Sequence, residues 1–293
     1  MSEFAGYHPA VLFIYYVLVL VFAMFTVHPV VLAFVLLGGI LLFGALNPLR
    51  VLARNLLYYF FFFLLLAVTN PLFAHNGETI LFFMNDNPIT LEAFVYGAAL
   101  AIMIVGVMFW CKNYNLIMTS DKFIYLFGKA IPRLSLVLSL ALRFIPLFKE
   151  QIHKINQTQK VMGLYSTDSR TDRLMSGMRV FNSILSWAIE NSLETADAMK
   201  ARGYGLPGRT NFSLFKFRKR DGVLLGAIAV LTAAIWAGYF LLPLNFTFYP
   251  VVDQIQNTRQ AAGVYAVVLI YMILPALLEI KEKLRWNYLK LRI

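Results

Sequence analysis

A chain of 293 residues that is 60% hydrophobic and only 14% charged, with a mean hydropathy of +0.68, lies outside the soluble globular range of about 45–50% apolar and 25% charged. Its 26 Lys and Arg against 15 Asp and Glu give a net charge of +11, so the placement of those charges decides between a nucleic-acid surface and the flanks of a membrane domain. The single cysteine, Cys111, excludes an internal disulfide and a thiolate cluster, and His8, His28, His75 and His153 show no metal-ligand spacing.

Met1 to Tyr7 carries Glu3 and no Lys or Arg. The basic n-region of a cleaved signal is missing, so the first apolar segment is expected to stay attached. A helix needs about 20 apolar residues to cross about 30 Å of hydrocarbon, because unpaired backbone groups in lipid each cost several kcal/mol. By that ruler Val11 to Phe25 and Val30 to Leu46, split at His28-Pro29, are two spans. Leu56 to Phe73, Leu91 to Trp110, Val223 to Leu242 and Ala262 to Leu278 are four more.

Lys and Arg favour cytoplasmic loops. With the N-terminus inside, Arg50 and Arg54, the eighteen basic residues from Lys112 to Arg220 and the five from Lys281 onward are all cytoplasmic, which leaves only Arg259 outside. Both termini are then expected in the cytoplasm, at the plasma membrane. Leu134 to Phe148 is apolar but short, and it contains Arg143. A central arginine costs about 2.5–3.5 kcal/mol on insertion, so this segment is expected to pack among other helices at membrane level or to lie in the interface. Pro146 is expected to kink it. The organisation that follows is an all-α polytopic membrane protein of about six spans: N-terminal spans in 1–111, a cytoplasmic or interfacial helical region in 112–221, and two further spans with a basic tail in 222–293.

Within the polar middle, Lys149 to Lys160 keeps good helix formers and ends at Val161-Met162-Gly163, where glycine suits a left-handed cap. A linker from Tyr165 to Arg173 leads to a second helix, about Arg173 to Arg202, with Phe181, Ile184, Leu185, Ala188, Ser192, Ala196 and Met199 on one face. It closes at Lys200-Ala201-Arg202 before Gly203, Tyr204 and Gly205. A cation in a last turn offsets the helix dipole by about 0.3–1 kcal/mol. Two long helices that both end in glycine make paired tips, and an always-charged, five-donor arginine at such a tip suits an acidic groove on a partner.

Gly203 to Thr210 mimics a phosphate-binding loop, but it ends a polar helix instead of following a strand. The basic-aromatic stretch Asn211 to Arg220 reads as an interfacial anchor, so a nucleic-acid partner is not expected. No Asp, Glu, Lys, Arg or His lies deep in the six spans, Glu92 being at an edge. This disfavours an ion-coupled transporter, and no zinc-peptidase or serine-elbow motif supports an enzyme. No cofactor is expected. A self-sufficient permease or channel is the alternative to a coupling subunit.

Asn70-Pro71-Leu72-Phe73 with His75 and Gly77, Ile89-Thr90 with Glu92, Leu142-Arg143-Phe144-Ile145-Pro146, and above all Ala198-Met199-Lys200-Ala201-Arg202-Gly203-Tyr204-Gly205 together resemble the transmembrane (T) component of energy-coupling factor transporters. That family imports vitamins and metal ions. The resemblance implies a non-catalytic scaffold bound to two ATP-binding-cassette ATPases and a small substrate-binding membrane subunit in the lipid bilayer. It assigns ATPase docking to Ala201, Arg202 and Gly203 and to Val161, Met162 and Gly163, and structural or coupling roles to Arg143, Pro146, Asn70 and Pro71. Met162 stands where the family commonly has arginine. The substrate subunit is expected to contact Leu134 to Phe148 and the end of the fourth span near Trp110.

Overall fold

His8 and His28 each precede a proline that takes the first helical position, where no N–H is needed and the fixed φ pre-forms the turn. α1 runs over Pro9–Phe25 and α2 over Pro29–Leu46, so the break at His28-Pro29 is the turn between them. Pro48 starts α3, Leu49–Phe73. An antiparallel hairpin follows, β1 (Ile80–Met84) and β2 (Asn87–Thr90), with Ile80 opposite Thr90 and Phe83 opposite Pro88. The remaining helices are α4 (Leu91–Ile117), α5 (Ser120–Gly128), α6 (Pro132–Val161), α7 (Arg170–Ala201), α8 (Lys219–Leu241) and α9 (Arg259–Lys290). The computed structural model describes all residues except 1–2, 75, 85–86, 129–130, 164–169, 207–214, 243, 245, 256–257 and 291–293. His75, most of the linker after Tyr165 and the stretch from Pro207 to Leu214 therefore lie outside the described residues.

Among the described residues, α2, α3, α4, α8 and α9 are long and apolar enough to cross a membrane, and α1 is a shorter apolar helix. The chain is an all-α polytopic membrane protein. The six apolar segments read from the sequence are these helices, but the helices outrun the apolar segments. Arg50 and Arg54, expected in a loop, lie in the first turns of α3, and α9 continues to Lys290. Hydropathy marks where lipid ends, whereas Leu, Ala, Asn, Arg and Lys go on closing backbone hydrogen bonds beyond it.

The chain divides into two compact units, Met1–Lys122 with Phe215–Ile293, and Phe123–Leu214. In the first unit α2 is central, packed against α4 and α9. Trp110 is fully buried and donates from Nε1 to the Val35 carbonyl at 2.9 Å. Tyr15 and Tyr16 meet the Trp110 ring edge-on at 6.0 and 5.9 Å, each such pair adding about 0.5–1.5 kcal/mol beyond its buried area. The Trp110 side chain itself is thus core, because α2 covers the indole, while Cys111 and Leu116 beside it at the end of the fourth span are exposed. Helices in lipid pack closely only where side chains are small. At Gly38 a Cβ would stand 2.7 Å from the Met272 carbonyl oxygen, which fixes the approach of α2 to α9. On the outer face of α3, Leu57, Phe61, Leu64 and Val68 are exposed at helical spacing, as a surface solvated by acyl chains should be.

The second unit holds the rest of α5 with α6 and α7. Leu134 to Phe148 and Lys149 to Lys160, read as separate segments, form the one helix α6, which runs through Pro146. Proline removes one hydrogen bond from a helix interior but leaves the turns on either side free to continue. Leu134, Val137 and Ile145 are exposed, so of the two expected placements this unit does not show the one buried among helices. Phe148 packs on Trp187 of α7 with ring centroids 5.7 Å apart. Of the face expected on α7, Ile184, Ala188, Ala196 and Met199 are sheltered, while Phe181, Leu185 and Ser192 are exposed.

Candidate docking site: two glycine-capped helix ends

α6 and α7 end in the same way, and the sequence dictates it. The last carbonyls of a helix lack donors unless the chain reverses through a left-handed residue, which glycine adopts without steric cost. Gly163 has φ +70° and Gly203 φ +78°. At the second end Gly203 N–H donates to the Lys200 carbonyl at 2.9 Å and Tyr204 N–H to the Met199 carbonyl at 3.0 Å. This bond pair is a complete Schellman closure. At the first end Gly163 N–H donates to the Lys160 carbonyl at 3.1 Å, the matching inner bond.

Met162 and Arg202 therefore occupy the same cap position, one residue before the left-handed glycine. Both project outward: Val161 and Met162 are 89% and 66% exposed, and Ala201 and Arg202 are exposed as well. Among the described residues no ion pair holds the arginine. Lys200 and Asp197 sit 3.9 Å apart with both side chains exposed, an arrangement worth about 0–1 kcal/mol. Lys154 hydrogen-bonds Glu150 at 2.7 Å on exposed α6 and holds that carboxyl below its usual pKa range. The Phe148–Trp187 contact lies thirteen residues before Val161 and fourteen before Ala201. At 1.5 Å rise per residue each tip is about 20 Å from the crossing.

The residues given structural roles fall elsewhere. Asn70 donates from Nδ2 to the Ala93 carbonyl at 2.9 Å, tying the end of α3 to the start of α4. Pro71 is buried in the last turns of α3. Beneath them, a Cβ on Gly97 would stand 2.8 Å from the Ala67 carbonyl oxygen. Thr90 caps α4 by accepting from Ala93 N–H at 3.3 Å and donates to the Asn76 carbonyl at 2.7 Å. Glu92 is buried and accepts from Thr79 Oγ1 at 2.5 Å. Arg143 and Pro146 are on the exposed side of α6, away from both tips in sequence. Asn70, Pro71, Thr90 and Glu92 thus join into one braced turn.

Sequence reasoning missed a second polar cluster, in which Lys122, Arg220, Asp221 and Glu279 bind the backbone of residues 3–8. Asp221 three residues after Arg218 was the available signal, since a carboxylate at that spacing closes a helix start.

A long-helix membrane bundle with two exposed, glycine-capped polar helices defines a polytopic membrane component with paired cap sites. A family model described as cobalt transport protein, CbiQ, matches residues 7–213, and the chain belongs to that family, with the transmembrane components of energy-coupling factor transporters among its relatives. It is 35% identical over 108 residues to the energy-coupling factor transporter transmembrane protein EcfT of Listeria innocua, covering 36% of this chain and 41% of that protein. With EcfT of Lacticaseibacillus paracasei the identity is 34% over 110 residues, covering 36% and 40%. With EcfT of Staphylococcus aureus it is 25% over 169 residues, covering 54% and 63%. The matched stretch thus spans about two-fifths of the length of the first two relatives.

Proposed function

We propose that this chain is the transmembrane coupling scaffold of an ATP-driven micronutrient importer of the energy-coupling factor type. In this reading two ATP-binding-cassette ATPases grip the α6 and α7 tips, and a small substrate-binding membrane subunit rests against the scaffold. The chain itself carries no catalytic site; ATP hydrolysis belongs to the ATPases, and the cargo is chosen by the substrate-binding subunit. Both termini and both tips face the cytoplasm at the plasma membrane, the orientation that keeps nearly all Lys and Arg inside. The observation that supports it best is the Schellman closure that presents Arg202 outward at the end of a 32-residue helix. A guanidinium fixed at such an end fits a carboxylate-lined groove by paired N–H···O bonds, and the matching Met162 end gives an apolar contact helped by Lys160.

Purification of the chain from its native host, in mild detergent, is expected to bring two ATPases and a small hydrophobic protein with it. The chain reconstituted alone is expected to transport nothing. Solitary purification, or uptake by the lone chain, would favour a permease or channel instead.

A further inference from the structure

Two junctions carry the chain between the units: Lys122 is the last residue of the first unit on the way out, and the stretch from Phe215 leads back through Arg220 and Asp221. Both junctions are held by the same short N-terminal segment. Lys122 is 7% exposed, and its ammonium donates to the carbonyls of Ala5 and Ile117, the second at 2.9 Å. On the return side Asp221, 1% exposed, accepts from His8 N–H at 3.1 Å. Arg220 donates to the Gly6 carbonyl at 2.6 Å and lies 5.1 Å above the Tyr7 ring. A third hold comes from α9, where Glu279 accepts from Glu3 N–H at 2.8 Å and Phe4 N–H at 3.2 Å. Phe4 itself is fully buried, edge-on to Tyr15 and Tyr16.

An apolar plug such as Phe4 alone would anchor this segment. Here three charged side chains, Lys122, Asp221 and Glu279, lose their water to bind backbone groups instead, an arrangement that is costly unless each bond is kept. Two of the junction residues, Lys122 and Asp221, are almost wholly buried and converge on a segment of six residues. Because such bonds are short-ranged, loosening one junction must loosen the segment, and with it the other.

We propose that residues 3–8 form a coupling clasp that makes the outgoing and returning junctions move as one body. In the importer described above, on which the clasp's role in transport rests, a displacement imposed on α6 and α7 by the ATPases then reaches the bundle as a single motion instead of being lost at either hinge. Lys122, Arg220, Asp221 and Glu279 are positioning residues for that transfer.

Hydrogen exchange on the purified full chain tests the clasp without reference to transport. Lys122→Met keeps the side-chain length and removes the donors. It is expected to raise exchange about fivefold at the amides of Phe217–Gly222, across the clasp on the other junction, and Lys122→Arg is expected to restore protection. The milder Arg220→Gln, at an exposed guanidinium, is expected to raise exchange at Met118–Phe123 in the reverse direction with the fold intact. Changes confined to the mutated junction would overturn the clasp. In the assembled complex in vesicles, Lys122→Met should lower uptake about tenfold while ATP hydrolysis stays within about twofold. Parallel loss of both, with the complex intact, would overturn its part in coupling. If the wild-type chain brings no ATPase with it, the importer reading fails while the exchange result still decides the clasp.

Discussion

Arg202→Ala is expected to weaken binding of the proposed ATPase partners by about thirtyfold or more, and Met162→Ala to change it by less than about threefold. The difference comes from what each side chain does at an identical backbone position. Each lies one residue before a left-handed glycine, and each is exposed, so truncation leaves the helix closure at Gly163 or Gly203 in place. Removing a guanidinium that pairs with buried carboxylates costs about 2–5 kcal/mol, because the partner charge is left desolvated, and about 1.4 kcal/mol is tenfold in affinity. Truncating a methionine at an apolar contact removes only part of a side chain's buried area, well under that cost. Binding of the purified ATPase pair to each variant, measured at low and at moderate salt, reads this directly. Equal losses would mean that the two ends are gripped alike and that the asymmetry at Met162 has no consequence.

The second large effect concerns the bundle. Gly38→Leu is expected to abolish a monodisperse, folded preparation, and Gly38→Ala to lower the thermal midpoint by about 5–10 °C. A Cβ at Gly38 meets the Met272 carbonyl oxygen at 2.7 Å and Met272 Cβ at 2.9 Å. Those are backbone or near-backbone atoms, so the clash is relieved only by moving α2 away from α9, and α2 also packs against α4. The control is Gly177→Ala on α7, where a Cβ meets nothing within 4 Å. There the substitution should leave stability unchanged or raise it, since glycine in a helix interior is about 1 kcal/mol worse than alanine. Thermal unfolding in detergent separates the two, and similar midpoints for Gly38→Ala and Gly177→Ala would contradict this packing.

Much of this architecture is legible in the residues because it rests on local rules. Runs of about 20 apolar residues announce the spans, His8-Pro9 and His28-Pro29 announce two helix starts, and Gly163 and Gly203 announce two helix ends. The helix extents are less legible. Arg50 and Arg54 look like loop residues because charge marks the end of lipid, yet nothing in Leu49 to Asn55 breaks a helix. The single helix α6 is hidden in the same way, because its composition changes at Lys149 while its backbone does not. Least legible is the clasp, since Glu3 and Glu279 meet only after the bundle has formed, across 276 positions of chain. The cap position shared by Met162 and Arg202 lies between these cases: the glycines foretell it, and only the hydrogen-bond pattern makes the two ends equivalent.

The proposed coupling requires the α7 tip to stand in the cytoplasm within reach of an ATPase. Its most direct test places a thiol there, Arg202→Cys in a Cys111→Ser background that removes the exposed native cysteine, and measures reaction with a membrane-impermeant maleimide in intact cells and in inside-out vesicles. Labelling only in the inside-out vesicles, reduced when the ATPases are bound, is the result expected. Labelling of Arg202→Cys from outside intact cells would contradict it.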